Sequence, residues 1–129
     1  MAGYAPRLPI QKDPNDGFSL LQTIKQVASQ NLKMVLFTEP GERIWDLNFG
    51  VGIKKYLFEP NLKVTHETIR QRILSQVSTY LPYIHILNID MLTNDLNAIS
   101  VEPTNSSNFL NIKISYLVSG DSQVYILQI

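Results

Sequence analysis

The chain has no cysteine, no excess of either charge and no apolar run long enough to cross a bilayer. The missing cysteine excludes disulfides and thiolate metal sites and favours a reducing compartment. Eleven basic side chains balance eleven acidic ones, which argues against generic nucleic-acid binding, because that needs a surplus of lysine and arginine. The first residues lack the charged-then-apolar pattern of a signal peptide. We therefore expect a soluble protein made inside the cell, without a nucleic-acid or membrane partner.

Residues that carry chemistry are also few. The two histidines, His66 and His85, lie far apart in sequence and have no companions at metal-ligand spacing. A glycosidase needs two carboxylates about 5 to 10 Å apart, one of them held protonated. Nothing in the sequence marks a buried carboxylate among the candidates near the turn-rich middle of the chain, which are Glu39, Glu42, Asp46 and Glu59. We therefore predict no metal, no cofactor and no catalytic residue, and hence no enzyme.

The length of 129 residues suits a single domain. Residues 1–17 are rich in proline, glycine and turn-forming residues, which predicts an extended N-terminal arm without regular structure of its own. The arm is either a frayed terminus or a strap that orders on a partner through Tyr4, Leu8 and Ile10. Residues 18–129 then form the domain.

Helical periodicity covers the first half of this domain. We predict a helix over residues 19–38, capped by Ser19 with Gln22, and a short helix over residues 52–58. A third helix is capped by Thr65 and ends before Pro82. Its apolar stripe faces the core, and the other side chains largely face elsewhere. Arg70 and Arg72 lie either on a solvated face or in a contact with another subunit. The stripe comprises Ile69, Ile73, Val77 and Tyr80.

After Pro82 the apolar period changes from helical to alternating. Strands are predicted over residues 84–92, 110–118 and 124–129, with a polar loop over 93–108 and a turn at Gly120. In the first strand, alternation puts Leu87 and Ile89 on one face and Ile84 and Ile86 on the other. The expected fold class is α+β, with three helices packed on a three-stranded antiparallel C-terminal sheet.

Between the first two helices lies an unusual segment, residues 39–52, which we call the connector. It mixes three glycines, a proline and four charges with the only tryptophan of the chain. We expect it to be irregular but packed, with Trp45 and Phe49 pressed against the helices. Trp45→Ala should then cost about 3 to 5 kcal/mol of stability.

The connector also carries a family resemblance. It resembles the baseplate wedge and sheath-initiator family of contractile phage tails and type VI secretion, a lysozyme-like baseplate wedge family. The matching pattern has a Gly-Glu-Arg turn, a Phe-Gly and a Leu-Phe-Glu before the next helix. In this chain the pattern is formed by Gly41, Glu42, Arg43, Phe49, Gly50, Leu57, Phe58 and Glu59. The resemblance runs from about Leu20 to the end of the sequence and leaves out the arm.

One position departs from the family pattern. Many members carry Glu-Pro-Arg at the end of the third helix, where the charges help to dock neighbouring wedge subunits. Here Leu81, Pro82 and Tyr83 occupy that position, so the proline matches and both charges are missing. If the site docks a partner, the contact must be apolar and aromatic.

The resemblance implies a structural protein of a tail baseplate, assembled in the host bacterial cytoplasm. It would surround the tube in several copies and nucleate the sheath by offering its C-terminal strands to sheath subunits. The implied partners are the tail sheath protein, baseplate wedge proteins and tail tube or hub proteins. The particle could be a phage tail, a secretion system or a bacteriocin. The alternative is a soluble protein-binding regulator of the anti-adaptor type with the same fold.

The last strand supports strand pairing on its own terms. It has no lysine, no proline and no polar tail, although exposed edges are usually blunted by such features. Either the strand is buried on both sides within the monomer, or a partner chain adds a strand to it. On the second interpretation, the contact residues are Val124, Tyr125, Ile126, Leu127 and Ile129.

Overall fold

A computed structural model describes residues 3–15, 17–56, 58–60, 62–92 and 111–128. Short strands β1 (Ala5–Pro6), β2 (Lys12–Asp13), β3 (Gly17–Phe18) and β4 (Leu20–Leu21) precede helix α1 (Ile24–Phe37). Helices α2 (Ile53–Tyr56) and α3 (Lys63–Tyr80) follow, and strands β5 (Ile84–Leu92), β6 (Asn111–Val118) and β7 (Val124–Gln128) complete the order. The expected three helices and antiparallel C-terminal sheet are confirmed. The predicted loop 93–108, Leu57, Leu110 and Ile129 lie outside the described residues.

The arm contains regular structure, so that part of the prediction is wrong. Strand β1 pairs with β4 and β2 pairs with β3, both antiparallel. The chain reverses between β2 and β3, where the Asn15 N–H donates to Asp13 Oδ1 at 2.9 Å and Gly17 has a φ of 89°. The boundary expected after residue 17 therefore falls inside β3.

The N-cap of helix α1 lies four residues later than predicted. Thr23 is the N-cap, and its side chain accepts from the Gln26 N–H at 3.4 Å. The Gln26 side chain in turn accepts from the Gln22 N–H, so the pattern resembles a capping box in which the glutamine bonds one residue ahead of the cap. Ser19 cannot serve as the cap, because its N–H and carbonyl bond to Gln11 and Arg7 of the arm.

Helix α3, in contrast, begins earlier than predicted. Leu62 is its N-cap and makes no side-chain cap bond, whereas the Thr65 hydroxyl donates to the Pro60 carbonyl at 3.0 Å. The predicted apolar stripe is confirmed at its centre, since Ile69 and Ile73 are fully buried. Thr65 therefore ties the incoming chain to the first turn and does not cap the helix.

The sheet has the order β5-β6-β7, and all pairings are antiparallel. The register of β5 against β6 shifts between Ile86 and Asn88, which marks a β-bulge at Leu87. Because the bulge adds one residue, Ile86 and Ile89 point to the same face. The predicted alternation in this strand is therefore wrong: Ile89 is buried and Leu87 is 53% exposed.

Helices α1 and α3 cover only one face of the sheet. Helix α3 packs on β5, while Ser29 of α1 hydrogen-bonds Tyr116 of β6. The resulting core is one cluster of apolar side chains, which includes Leu32, Leu36, Ile69, Ile73, Ile112, Ile114 and Leu127. The opposite face of the sheet leaves Val124 and Ile126 exposed. The turn before β7 is confirmed, with a φ of 87° at Gly120.

Candidate functional site

The connector returns to α1 through its backbone. The Val51 N–H donates to the Val35 carbonyl at 2.9 Å, and the Gly52 N–H donates to the Thr38 carbonyl at 3.0 Å. Gly50 lies so close to α1 that a Cβ atom there would be 2.1 Å from the Thr38 carbonyl oxygen, and its φ is 107°. Only glycine fits this approach, because any side chain would both clash and strain the backbone.

Two side chains of α3 hold the connector by its peptide groups. The Gln76 amide accepts from the Gly50 N–H at 2.9 Å and donates to the Asn48 carbonyl at 3.0 Å. Arg72, one turn earlier, donates to the same Asn48 carbonyl and to the Gly50 carbonyl at 3.2 Å. Gln76 is only 5% exposed, so its bonds satisfy polar groups that burial would otherwise leave costly. The sequence suggested a solvated face for Arg72, but its guanidinium instead binds the connector backbone.

Tyr80 continues the same helical face one turn further along. Its hydroxyl donates to Asp46 Oδ2 at 2.6 Å, and this hydrogen bond raises the pKa of the Tyr80 hydroxyl. The Phe49 ring meets the Tyr80 ring edge-on, with centroids 4.8 Å apart. The Arg43 guanidinium lies 4.1 Å from the centroid of the Phe49 ring, within the range of a cation–π contact. The packed ring of the connector is therefore Phe49, which lies between the Arg43 guanidinium and the Tyr80 ring.

Trp45 is not packed, so its predicted burial is wrong. The side chain is 81% exposed, and its neighbour Ile44 is 90% exposed. The expected loss of 3 to 5 kcal/mol for Trp45→Ala has no basis in burial, because an exposed side chain has little transfer energy to lose (about ±0.5 kcal/mol for most surface changes). Polar bonds to peptide groups, and not a buried indole, hold the connector in place.

The Gly-Glu-Arg stretch forms the tight turn that the family pattern implies. The Gly41 N–H donates to the Leu47 carbonyl at 2.8 Å, and Glu42 Oε2 accepts from the Glu39 N–H at 3.1 Å. Further along, Phe58 is 92% exposed and so does not help to pack the connector. Glu59 is exposed as well.

The four carboxylates considered for glycosidase chemistry lie at the surface. Glu39, Glu42 and Glu59 are exposed and Asp46 is half-buried, whereas a general acid of this kind is usually set in an apolar pocket. Across the residues that the structure describes, no group of three or more histidine, cysteine, aspartate or glutamate side chains could hold a metal ion. Within the same described segments, none of the helices combines the length and apolar character that a membrane span requires.

The turn after α3 divides its three residues between core and surface. Leu81 is 7% exposed and packs in the core, so its side chain is not presented to a partner. Pro82 is exposed. Tyr83 is half-buried, and its hydroxyl accepts from Asn31 Nδ2 at 2.8 Å. A surface contact here would be made by Pro82 and one edge of Tyr83.

Strand β7 forms one edge of the sheet. Its register places Leu127 opposite Ile114 and Tyr125 opposite Tyr116, and Leu127 is 5% exposed. Val124 and Ile126 point to the uncovered face and are 53% and 58% exposed. In the described part of the chain, β6 is the only strand that pairs with β7. Within the described residues, β7 is therefore buried on one side only, which does not fit the interpretation of a strand buried on both sides.

The Asp121 carboxylate anchors the turn that precedes this edge. It accepts from the Tyr125 hydroxyl and from the Gln123 N–H. These hydrogen bonds, the one from Tyr125 first, lower the pKa of Asp121, and the same contact with Asp121 raises the pKa of Tyr125. Lys25 of α1 lies over the Tyr125 ring, 4.9 Å from its centroid. The first half of β7 is thus held from one side by its own turn and by α1.

Comparisons with known proteins agree with this geometry. A family model described as "Baseplate wedge protein gp25" matches residues 22–123. A search of curated protein sequences finds no match. The chain is similar to the crystal structure of a "putative tail lysozyme" from Geobacter sulfurreducens, with 20% identity, a TM-score of 0.65 and coverage of 85% of this chain and 91% of that chain. It is also similar to a chain of the anti-feeding prophage baseplate, with 22% identity, a TM-score of 0.69 and coverage of 89% and 84%.

Proposed function

The chain belongs to the family of baseplate wedge protein gp25, and we propose that it nucleates the sheath by adding the strands of sheath subunits to its β7 edge. Family membership establishes the coarser statement, a structural role in a tail baseplate. The finer statement concerns how this chain docks its neighbours. The observation that carries it is the open edge at β7, with two apolar side chains on an uncovered face.

The physical argument starts from the unpaired peptide groups of an edge strand. An exposed row of N–H and C=O groups pairs readily with another chain unless bulges, prolines or lysines blunt it. Strand β7 carries none of these: its register against β6 is regular, and its five residues are Val124–Gln128. A sheath strand would gain main-chain bonds along this edge, and its alternating side chains would set the register against Val124 and Ile126.

A second contact is proposed for the wedge proteins of the same baseplate. The turn at Pro82 and Tyr83 lacks the two charges that many family members carry, so we propose an apolar and aromatic contact there. The tail tube or hub would lie inside the ring of copies. The anti-feeding prophage baseplate was determined with six-fold symmetry, which supports a ring of six copies. Assembly would take place in the cytoplasm of the host cell.

The direct test removes the edge from the full chain. A variant lacking residues 124–129 should no longer support sheath assembly on purified baseplates, while circular dichroism should show that most helix content remains. Because Leu127 belongs to the core, the truncated chain is checked for folding before it is used. Sheath that still assembles on a folded truncated protein would rule out strand pairing as the docking mode.

We also propose that the chain is not an enzyme, since its family is structural and its candidate carboxylates are not buried. A related fold described as a tail lysozyme makes a direct assay worthwhile. Purified cell wall should keep its turbidity in the presence of the protein. Clearing that disappears in Glu42→Gln would contradict this part of the proposal.

The remaining alternative is a soluble regulator that binds one partner. Co-purification separates it from the baseplate role, because a baseplate component should bring down ring-forming sheath or wedge proteins. Recovery of a single small adaptor protein instead would favour the regulator.

A further inference from the structure

A groove of about 380 Å³ lies between the arm and α1. Among the residues that the structure describes, its charged lining consists of Arg7, Lys25 and Lys33, and no carboxylate lines it. The chain as a whole is neutral, with eleven basic and eleven acidic side chains. Three cations around one groove create a local excess of positive charge, which attracts anionic groups. Lys25 already interacts with the Asp121 carboxylate of the turn before β7. We call this feature the basic groove.

The arm wall of the basic groove is fixed to the helix. The Gln30 side chain accepts from the Leu8 N–H at 3.0 Å and donates to the Pro6 carbonyl at 3.1 Å. Between these two residues, the Arg7 N–H donates to the Ser19 carbonyl at 2.9 Å. Both peptide groups that flank Arg7 are thus tied down, so its position along the wall is defined by the fold.

The basic groove opens beside the edge strand. Lys25 lines the groove, and its ammonium nitrogen lies 4.9 Å from the centroid of the Tyr125 ring in β7. Ser29 also lines the groove and bonds Tyr116 of β6 through its side chain. A polypeptide that pairs with β7 would therefore pass close to Lys25, at one end of the basic groove.

We propose that the basic groove receives an acidic stretch of the polypeptide that pairs with β7. The inference rests on the proposed strand addition and supplies the chemistry of the partner segment, which carries carboxylates next to its pairing strand. Main-chain bonds alone do not select a sequence, whereas opposite charges reject wrong partners and steer association. The neutral net charge of the chain and the contact between Lys25 of the groove and Tyr125 of the edge strand favour a peptide over a nucleic acid.

The test uses the full chain and two short synthetic peptides, one of alternating valine and glutamate and the other with glutamine in place of glutamate. Calorimetry at low salt should show about tenfold tighter binding of the glutamate peptide, since several exposed charge pairs form. The difference should shrink at high salt, because counterions screen surface charges. Arg7→Glu with Lys33→Glu should remove or reverse the preference. Lys25 stays unchanged, because it also contacts Tyr125.

The matched control is Lys54→Glu with Lys55→Glu in α2, which changes the net charge equally at two exposed sites outside the groove. This control should keep the preference for the glutamate peptide. If the reversal variant unfolds, as judged by circular dichroism, Arg7→Gln with Lys33→Gln replaces it and should lose most of the preference.

The peptide experiment distinguishes failure of the acidic-partner inference from failure of the proposed strand addition. Equal binding of the two peptides, or an unchanged preference in the groove variants, overturns the acidic partner and leaves strand addition in place. Binding of neither peptide by the intact chain overturns both. A short single-stranded DNA that binds more tightly than the glutamate peptide, and depends on Arg7 and Lys33, would overturn the peptide inference in favour of a nucleic acid.

Discussion

The two edges of the sheet are built differently, although both end the same three-stranded layer. At β5, a bulge at Leu87 breaks the register, and the Arg70 guanidinium donates to the Ile89 carbonyl at 3.1 Å. At β7, the register is regular and two apolar side chains, Val124 and Ile126, face solvent. Bulges and charged side chains are standard ways to stop an edge from pairing. Among the described residues, the β5 edge is therefore protected against strand pairing, whereas the β7 edge is not.

The inner faces of the two edges do not differ in this way. Ile89 of β5 is 3% exposed and Leu127 of β7 is 5% exposed, and both belong to the core cluster. Apolar exposure on the outer face is also similar, since Leu87 of β5 is 53% exposed. The contrast between the edges is therefore one of register and exposed hydrogen-bonding groups, and not of core packing. The predictions below test each part of that contrast.

The largest effect is expected from a lysine placed on the open edge. Ile126→Lys should abolish sheath assembly on purified baseplates, because a charge on an edge strand opposes the addition of another strand. The matched control is Leu87→Lys on the closed edge, where the native side chain is 53% exposed against 58% for Ile126. Electron microscopy of the baseplates measures assembly. If assembly fails equally in both variants, the two edges do not differ in their contribution to sheath assembly.

The next largest effect concerns the buried side chains. Leu127→Ala and Ile89→Ala should each cost about 2 to 5 kcal/mol of unfolding free energy, because each removes buried methyl groups and leaves a cavity. Urea denaturation followed by circular dichroism measures both. A loss below about 1 kcal/mol for Leu127→Ala alone would mean that β7 is packed less tightly than β5. The two edges would then differ in core packing as well.

A smaller effect is expected from removing the cover of the closed edge. Arg70→Met keeps much of the side-chain volume but leaves the Ile89 carbonyl without its charged donor, which should cost about 1.5 to 3 kcal/mol. The variant should also self-associate more, because β5 then presents a free acceptor, and light scattering measures this. Arg7→Met in the arm is the control and should change neither quantity appreciably. A monomeric, fully stable Arg70→Met protein would show that the bulge alone closes this edge.

The smallest effect is a change in the pH dependence of folding stability, caused by Asp121 in the turn before β7. The hydrogen bond from Tyr125 lowers the pKa of the Asp121 carboxyl below its ordinary value of 3.8. A lowered pKa in the folded state means that the stabilisation is complete above the unfolded value and is lost as the pH falls through the folded one. Asp121→Asn should therefore flatten the fall in stability below about pH 4, measured by thermal unfolding. An unaltered slope in Asp121→Asn would show that the hydrogen bond between Asp121 and Tyr125 does not contribute to this pH dependence.

The site could be predicted where it depends on local pattern. Gly50 and the Gly-Glu-Arg turn follow from glycine chemistry in the sequence, and Phe49 was correctly expected to pack. The hydrogen bonds from Arg72, Gln76 and Tyr80 to the connector were not predicted, although a spacing of four residues puts these side chains on one helical face. That spacing was the available signal. Long polar side chains on a helix usually face solvent, so the spacing alone does not identify their partners. Here the partners are the peptide carbonyls of Asn48 and Gly50 and the Asp46 carboxylate, 22 to 34 residues away in sequence.

Local pattern in the sequence determined the α+β order, the apolar stripe of α3, the inward face of β6 and the absence of blunting residues in β7. These features depend on neighbours within a few positions, where side-chain periodicity and turn chemistry act directly. Only the tertiary structure decided that Trp45 is exposed, that a bulge reverses the faces of β5, that Arg70 covers one edge and that Lys25 lies beside the other. Each of these depends on which distant peptide groups and side chains come within contact distance, and periodicity along the chain carries no information about such distances.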